Sequence, residues 1–343
     1  MSDASRTPSG ETDPPVADPP VAVPAPPAAE PPAPPQRPWV RPALRIAQVV
    51  LVAAIVYFLA AYLVRSWSTV KDYHWTLRPG WLAASAVVFL AFYVLQALAW
   101  WLLLRGFALH SPFPVAMSTW GKSILARYVP GNVFMFVGRA WMSHGQGLPV
   151  DKVSAAMVYE QALGVCSALV TVAILFPFWE TDRGYTALSL LAIPLFIALL
   201  HPRVFLPLSS WALRRLHREP LDVTLGFGAV MAMLWYYVAA WLVAGTGAWL
   251  LARATTGLGV GSLPLVTVAY ALSFVVGMAA FIFPSGIGIR EAVLTASLAK
   301  HLPGGVALAW ALLLRLWVTA IELLFVGLAV LAERLVYGKK DSG

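Results

Sequence analysis

Long apolar runs recur along the chain, separated by short polar breaks. Seven are continuous and approach the roughly 20 residues needed to cross the hydrocarbon core of a bilayer. They cover about 44–64, 81–104, 153–178, 185–200, 225–252, 262–283 and 305–335. They are rich in Leu, Ala and Val with no strict alternation, so they predict helices and not the strands of a membrane barrel. Two further apolar pieces are interrupted. One, 113–143, is split by "PGN" at 130–132. The other, 286–300, ends a stretch that begins "FIFPSGIGIREAV" at 281–293. Short apolar pieces flanked by breaks suit re-entrant or half-membrane helices. The expected fold class is all-α: a polytopic membrane helical bundle of about seven to eight transmembrane helices, with two re-entrant or broken segments.

Composition sharpens this picture. The 343 residues are 59% hydrophobic and 12% charged, with a mean hydropathy of +0.74. A soluble domain carries about a quarter charged residues. The net charge of +8 is unevenly spread. Residues 1–36 set Arg6 against Asp3, Glu11, Asp13, Asp18 and Glu30, so the remainder is strongly basic. In a membrane chain that excess reads as loops facing anionic lipid, not as nucleic-acid binding. Residues 1–38 are a Pro/Ala-rich tail with no apolar core, expected to be disordered or polyproline-like. It is no signal peptide, because no basic start and apolar core precede a cleavage site. The integral membrane domain is expected over 39–338, with a short polar tail at 339–343.

Arg37, Arg41 and Arg45 place the N-terminus in the cytoplasm. Arg203, Arg214, Arg215 and Arg218 mark 201–218 as inside too, and "WETDRG" at 179–184 reads as outside. These agree if 113–143 dips in and returns to one side. Lys339 and Lys340 suggest an inside C-terminus, which seven spans alone would not give; a broken eighth crossing completed by 286–300 would. Residues 203–218 have two readings. Phe205, Leu208, Ala212 and Leu216 fall opposite Arg203, Ser210, Arg214 and Arg218, as in an interfacial helix. The alternative is a basic loop.

The chemistry lies at the breaks. "RYVPGNVFMFVGRAW" (127–141) and the 281–293 stretch share a plan: an apolar approach, a Pro and Gly, more apolar residues, then a Gly close to an Arg. Pro130 and Pro284 each remove a backbone donor and clash with the preceding turn. Gly131, Gly286 and Gly288 let the chain turn tightly. Broken segments in corresponding positions of two halves point to a transporter site between internal repeats. A helix restarting at such a break directs free N–H groups inward, and Arg290 lies in its first turn, which together suit a phosphate. Other charges sit deep in apolar segments: Arg139, Glu160, and Arg315 with Glu322 seven residues on, nearly on one face. Charges at membrane depth are costly and should face protein or water. Two readings stand. Arg139, Arg290 and Arg315 are headgroup-binding cations, with Glu160, Glu291 and Glu322 as counter-charges or proton carriers. Alternatively, the charges are ion pairs that fix helix register. Lys122 and Arg127 read as interfacial anchors.

Several chemistries find no support. No P-loop, G-x-S-x-G elbow or H-E-x-x-H occurs. The six histidines show no metal-ligand spacing, and Cys166 has no partner cysteine. No cofactor, metal or catalytic residue is expected, and the chain is not expected to be an enzyme.

The chain resembles the lysylphosphatidylglycerol synthase transmembrane, or flippase-like, domain family. The resemblance covers about 43–336 and is carried by "ARYVPGNVFMFVGRAWM", "VSAAMVYEQALG", "FPSGIGIREAVL" and "LLLRLWVTAIELLF". It implies about eight helices with re-entrant elements and the movement of an aminoacylated phospholipid between leaflets. The family's polar positions fall here on Pro130, Gly131, Gly138, Arg139, Glu160, Pro284, Gly286, Gly288, Arg290, Glu291, Arg315 and Glu322. The aminoacyltransferase domain of two-domain relatives is missing, so synthase activity is not implied. "PSG" and "PGN" vary a glycine-richer turn.

The expectation is therefore a stand-alone lipid flippase or transporter of the cytoplasmic membrane. Its partners would be membrane lipids: an anionic or aminoacylated phospholipid, or a lipid-linked intermediate, made by a separately encoded enzyme. A membrane-embedded transferase with Glu160 or Glu291 as base, or an accessory subunit whose charges staple helices, are the alternatives.

Overall fold

The computed structural model describes residues 57, 60–126, 133–179, 183–215, 225–279 and 286–337. The N-terminal tail, most of the run at 44–64, and the breaks containing Pro130, Gly131 and Pro284 lie outside them. Most of the described residues lie in eleven α-helices: α1 (Trp67–Asp72), α2 (Pro79–Gly106), α3 (Phe113–Leu125), α4 (Val133–His144), α5 (Val150–Leu175), α6 (Arg183–Leu199), α7 (Pro202–Arg215), α8 (Phe227–Thr255), α9 (Leu263–Ala279), α10 (Ile289–Leu298) and α11 (Gly304–Tyr337).

Among the described residues five helices are long and apolar enough to cross a membrane: α2, α5, α8, α9 and α11. A sixth crossing arises if α6 and α7 form one span bent by 72°. This is coarser than the seven to eight crossings expected. The run at 185–200 corrects to half of that bent pair. Pro202, just after the break, has no N–H to continue the α6 ladder. Residues 202–215 are a helix and not a loop; on its expected apolar side Phe205 is buried while Leu208 faces outward, and 216–218 lie outside the described residues.

Helices α2 and α8 form the antiparallel centre of the bundle. Ser85 Oγ donates to the Gly247 carbonyl at 2.8 Å and Tyr236 Oη to the Leu95 carbonyl at 2.7 Å. Along α2, Trp81 and Trp101 stand about 30 Å apart at 1.5 Å per residue, which matches the hydrocarbon core. An arginine lies over each ring: Arg253 at 4.9 Å from the Trp81 centroid and Arg105 at 4.2 Å from that of Trp101. Indoles and arginines at the two ends of an apolar helix mark membrane–water interfaces.

The two interrupted segments form hairpins from opposite ends of the bundle. Phe113 packs on Trp101, so α3 starts at the Gly106 end. α4 runs back beside it, with Arg139 at Ser123 and Gln146 at Thr119. From the Pro79 end, α9 descends antiparallel to α8, with Thr267 against Gly245 and Phe274 against Trp241. α10 then returns, because α11, its partner, starts at the Pro79 end where Gly305 meets Ser66. The segment 286–300 thus turns back and does not complete an eighth crossing.

The α8–α9 contact depends on a missing side chain. A Cβ at Gly245 would stand 2.3 Å from Thr267 Cγ2 and Oγ1. Gly→Ala inside an ordinary helix stabilises by about 1 kcal/mol. Here Gly245→Ala is expected to destabilise by about 1–3 kcal/mol through overpacking, so the sign of the change in a detergent thermal melt checks the contact.

Candidate functional site

Three groups of charged side chains lie inside the bundle, and each is held by more than one helix. The first centres on Glu160 of α5. Its carboxylate accepts from the Arg139 guanidinium of α4 and, at 2.6 Å, from Trp120 Nε1 of α3. Arg139 is 1% exposed; its Nε donates to Ser123 Oγ at 2.8 Å and its guanidinium lies 4.6 Å from the Trp100 ring centroid. A buried ion pair is tolerable only when its remaining polar groups are satisfied in this way. The α3–α4 hairpin is thereby fastened to α5 and α2.

The second group centres on Glu291, third residue of α10. One oxygen accepts from the Arg315 guanidinium of α11. The other accepts from the Gly288 N–H at 2.6 Å, so the side chain caps the first turn of α10 from one side. The positive end of α10 is therefore partly answered by the chain's own carboxylate. Arg315 pairs with Glu291 and not with Glu322, seven residues along its own helix. Glu322, fully buried, accepts from Tyr93 Oη of α2 at 2.9 Å.

Arg290 is different. It is half-buried, and no carboxylate pairs with it among the described residues. Its guanidinium lies 5.9 Å from the ring centroids of both Tyr270 and Phe274 on α9. Its aliphatic stem runs across Gly277, where a Cβ would come within 2.5 Å of Arg290 Cγ. Gly286 has φ +64° and Gly288 φ +86°, conformations that glycine adopts without strain. A Cβ on Gly286 would approach Gly277 Cα to 3.0 Å. The α9–α10 hairpin closes where both chains lack a side chain, and that closure seats Arg290.

An aromatic series joins these groups. Trp120 contacts Tyr93, Tyr93 contacts Phe92, and Phe92 contacts Trp241, which packs on both Tyr270 and Phe274. Trp120, Ser123, Tyr93, Tyr270, Phe274 and Gly277 were missed by the sequence reading. One signal was present: "STWGKS" at 118–123 is a polar patch inside an apolar segment, which should face protein. Lys122, read as an anchor, pairs at 2.7 Å with Glu333, which also accepts from Ser118. Gly138 sits in α4 with open space beside it. Among the described residues no cluster of His, Cys, Asp or Glu could hold a metal.

The arrangement is a helical membrane bundle in which one hairpin brings Arg139 to the internal carboxylate of Glu160, and the opposed one brings Glu291 to Arg315 and seats Arg290 on two aromatic rings. Among curated proteins, none matches the chain. Residues 45–327 match the family model described as the lysylphosphatidylglycerol synthase TM region, and the chain belongs to that family.

Proposed function

We propose that this domain is a lipid flippase or transporter that moves a phospholipid or lipid-linked headgroup between the leaflets of the cytoplasmic membrane. The observation that carries the reading is that Arg290 has no carboxylate partner among the described residues. Arg139 and Arg315 each meet a carboxylate, whereas Arg290 meets none among the described residues and rests on two aromatic rings. A planar guanidinium can take two phosphate oxygens, and it gains most where water is scarce. Family membership, named for a synthase of a lysylated phospholipid, supports a lipid ligand.

In this reading the headgroup enters between the two hairpins while its acyl chains stay in lipid. Arg290 holds the phosphate. Arg139–Glu160 and Arg315–Glu291 keep the hairpins in register, and Gly286 and Gly288, both at positive φ, bring backbone close to the headgroup. The hairpins' approach from opposite ends supports an inverted internal repeat. Glu160 and Glu322 are the acids proposed to carry a proton in coupled transport. The cargo is an anionic or aminoacylated phospholipid or a lipid-linked intermediate supplied by a separate enzyme.

Proteoliposomes carrying fluorescent phospholipid in both leaflets test the reading. Transbilayer movement, read by quenching of the accessible leaflet, is expected to exceed that of empty vesicles for at least one phospholipid class. Movement equal to that of empty vesicles across anionic, zwitterionic and aminoacylated lipids would refute it.

A further inference from the structure

We propose a second lipid-headgroup site, at the Pro79 end of the bundle, built on Arg253. This arginine ends α8 and lies between two indoles. Its guanidinium carbon is 4.9 Å from the ring centroid of Trp81 and 5.6 Å from that of Trp249. The indoles meet edge to face at 6.2 Å, and Trp249 is anchored by its Nε1–H, which donates to the Gly259 carbonyl at 3.0 Å. The clamp is therefore fixed from both helices of the bundle's centre.

The charge in the clamp is unanswered. Among the described residues no carboxylate pairs with Arg253; its single hydrogen bond is from one terminal nitrogen to the Leu258 carbonyl, at 3.3 Å. Its Nε is sealed from solvent and has no hydrogen-bond partner among the described residues. A snorkelling arginine that served only to reach water would carry its guanidinium past the rings. This one is stacked on them and keeps donors for an acceptor that the described residues do not supply.

The surroundings name the class of acceptor. Trp81 is 36% exposed, and Leu77 and Val260 beside this end are more exposed still, at 77% and 66%. A cation bordered by exposed apolar surface, at the level where the indole belt meets headgroups, fits a ligand that is anionic at one end and apolar at the other. The ligand class is a phospholipid whose phosphate lies on the outward edge of the Arg253 guanidinium, with its glycerol and upper acyl chain against Trp81. Arg290 lies at the inner end of α9, whose outer end is adjacent to this clamp, so the site would be a docking station on one leaflet. The binding claim does not require that the domain transports lipid.

The test is native mass spectrometry of the full chain released from nanodiscs of phosphatidylcholine doped with phosphatidylglycerol, comparing wild type with Arg253→Gln and Trp81→Leu. Wild type is expected to retain one phosphatidylglycerol that both variants lose, with about tenfold weaker apparent affinity on titration, as for loss of one charge-assisted contact. Arg253→Lys is expected to keep part of the binding. Equal retention by wild type and a folded Trp81→Leu would overturn the proposal, as would equal retention by a folded Arg253→Gln. A second arm adds inorganic phosphate to the detergent-solubilised protein. Displacement of the lipid by millimolar phosphate would show a free-anion site and overturn the lipid assignment, whereas no displacement supports it.

Discussion

Glu160→Ala is expected to cost the protein about 3–5 kcal/mol of stability, the range for breaking a buried ion pair from one side. The change strands Arg139, which is 1% exposed and has no other carboxylate among the described residues. It also takes the acceptor from Trp120 Nε1. The α3–α4 hairpin loses its fastening to α5, so unfolding should be visible as a large fall in detergent melting temperature. Removing both charges together is a different experiment. Replacement of a buried pair by apolar residues of similar volume is often neutral or stabilising. Arg139→Met with Glu160→Leu should therefore recover most of the loss. A double variant as unstable as Glu160→Ala would show that the pair does more than compensate its own burial.

Glu291→Ala is the second large effect. This carboxylate balances Arg315 with one oxygen and caps α10 through the Gly288 N–H with the other. Arg315 is partly exposed, so stranding it costs less than stranding Arg139, and about 3 kcal/mol is expected. The lost cap adds about 1 kcal/mol. Glu291→Gln separates the two terms, since an amide oxygen can still accept from Gly288 but carries no charge. It should recover about the capping share and no more. The comparison is made by chemical or thermal unfolding in one detergent, and equal losses for Gln and Ala would remove the capping argument.

Much of this architecture was legible in the sequence, because lipid leaves few options for a backbone. Continuous apolar runs had to be helices, and Pro with Gly inside an apolar segment had to break one. α2, α5, α8 and α11 followed directly. The direction of the breaks was less legible. Nothing in "PSGIGIREAV" says whether the chain continues across or turns back. That choice is made by Gly277, a residue on another helix, against which Gly286 and Arg290 close. Pairing was harder still. Arg315 and Glu322 share a helical face by spacing, yet each finds its partner on a neighbouring helix, Glu291 on α10 and Tyr93 on α2. Helical spacing reports which residues share a surface, while the neighbouring helix decides what meets it. The indole that holds Glu160 was hidden for another reason: tryptophan in a membrane chain reads first as an interface residue, and Trp120 is buried.

The two interior pairs and Arg290 divide the labour. Arg139–Glu160 and Arg315–Glu291 hold the hairpins, and Arg290 holds the lipid phosphate. Arg290→Ala should therefore leave the melting temperature nearly unchanged, because no described ion pair is broken, while removing the headgroup contact. The most direct measurement is the rate of transbilayer phospholipid movement in proteoliposomes containing equal amounts of wild type or Arg290→Ala, with the melting temperature of each taken from the same preparation. A fall to the rate of empty vesicles is expected, with a melting curve close to wild type. A wild-type rate from the stably folded Arg290→Ala protein would contradict this assignment.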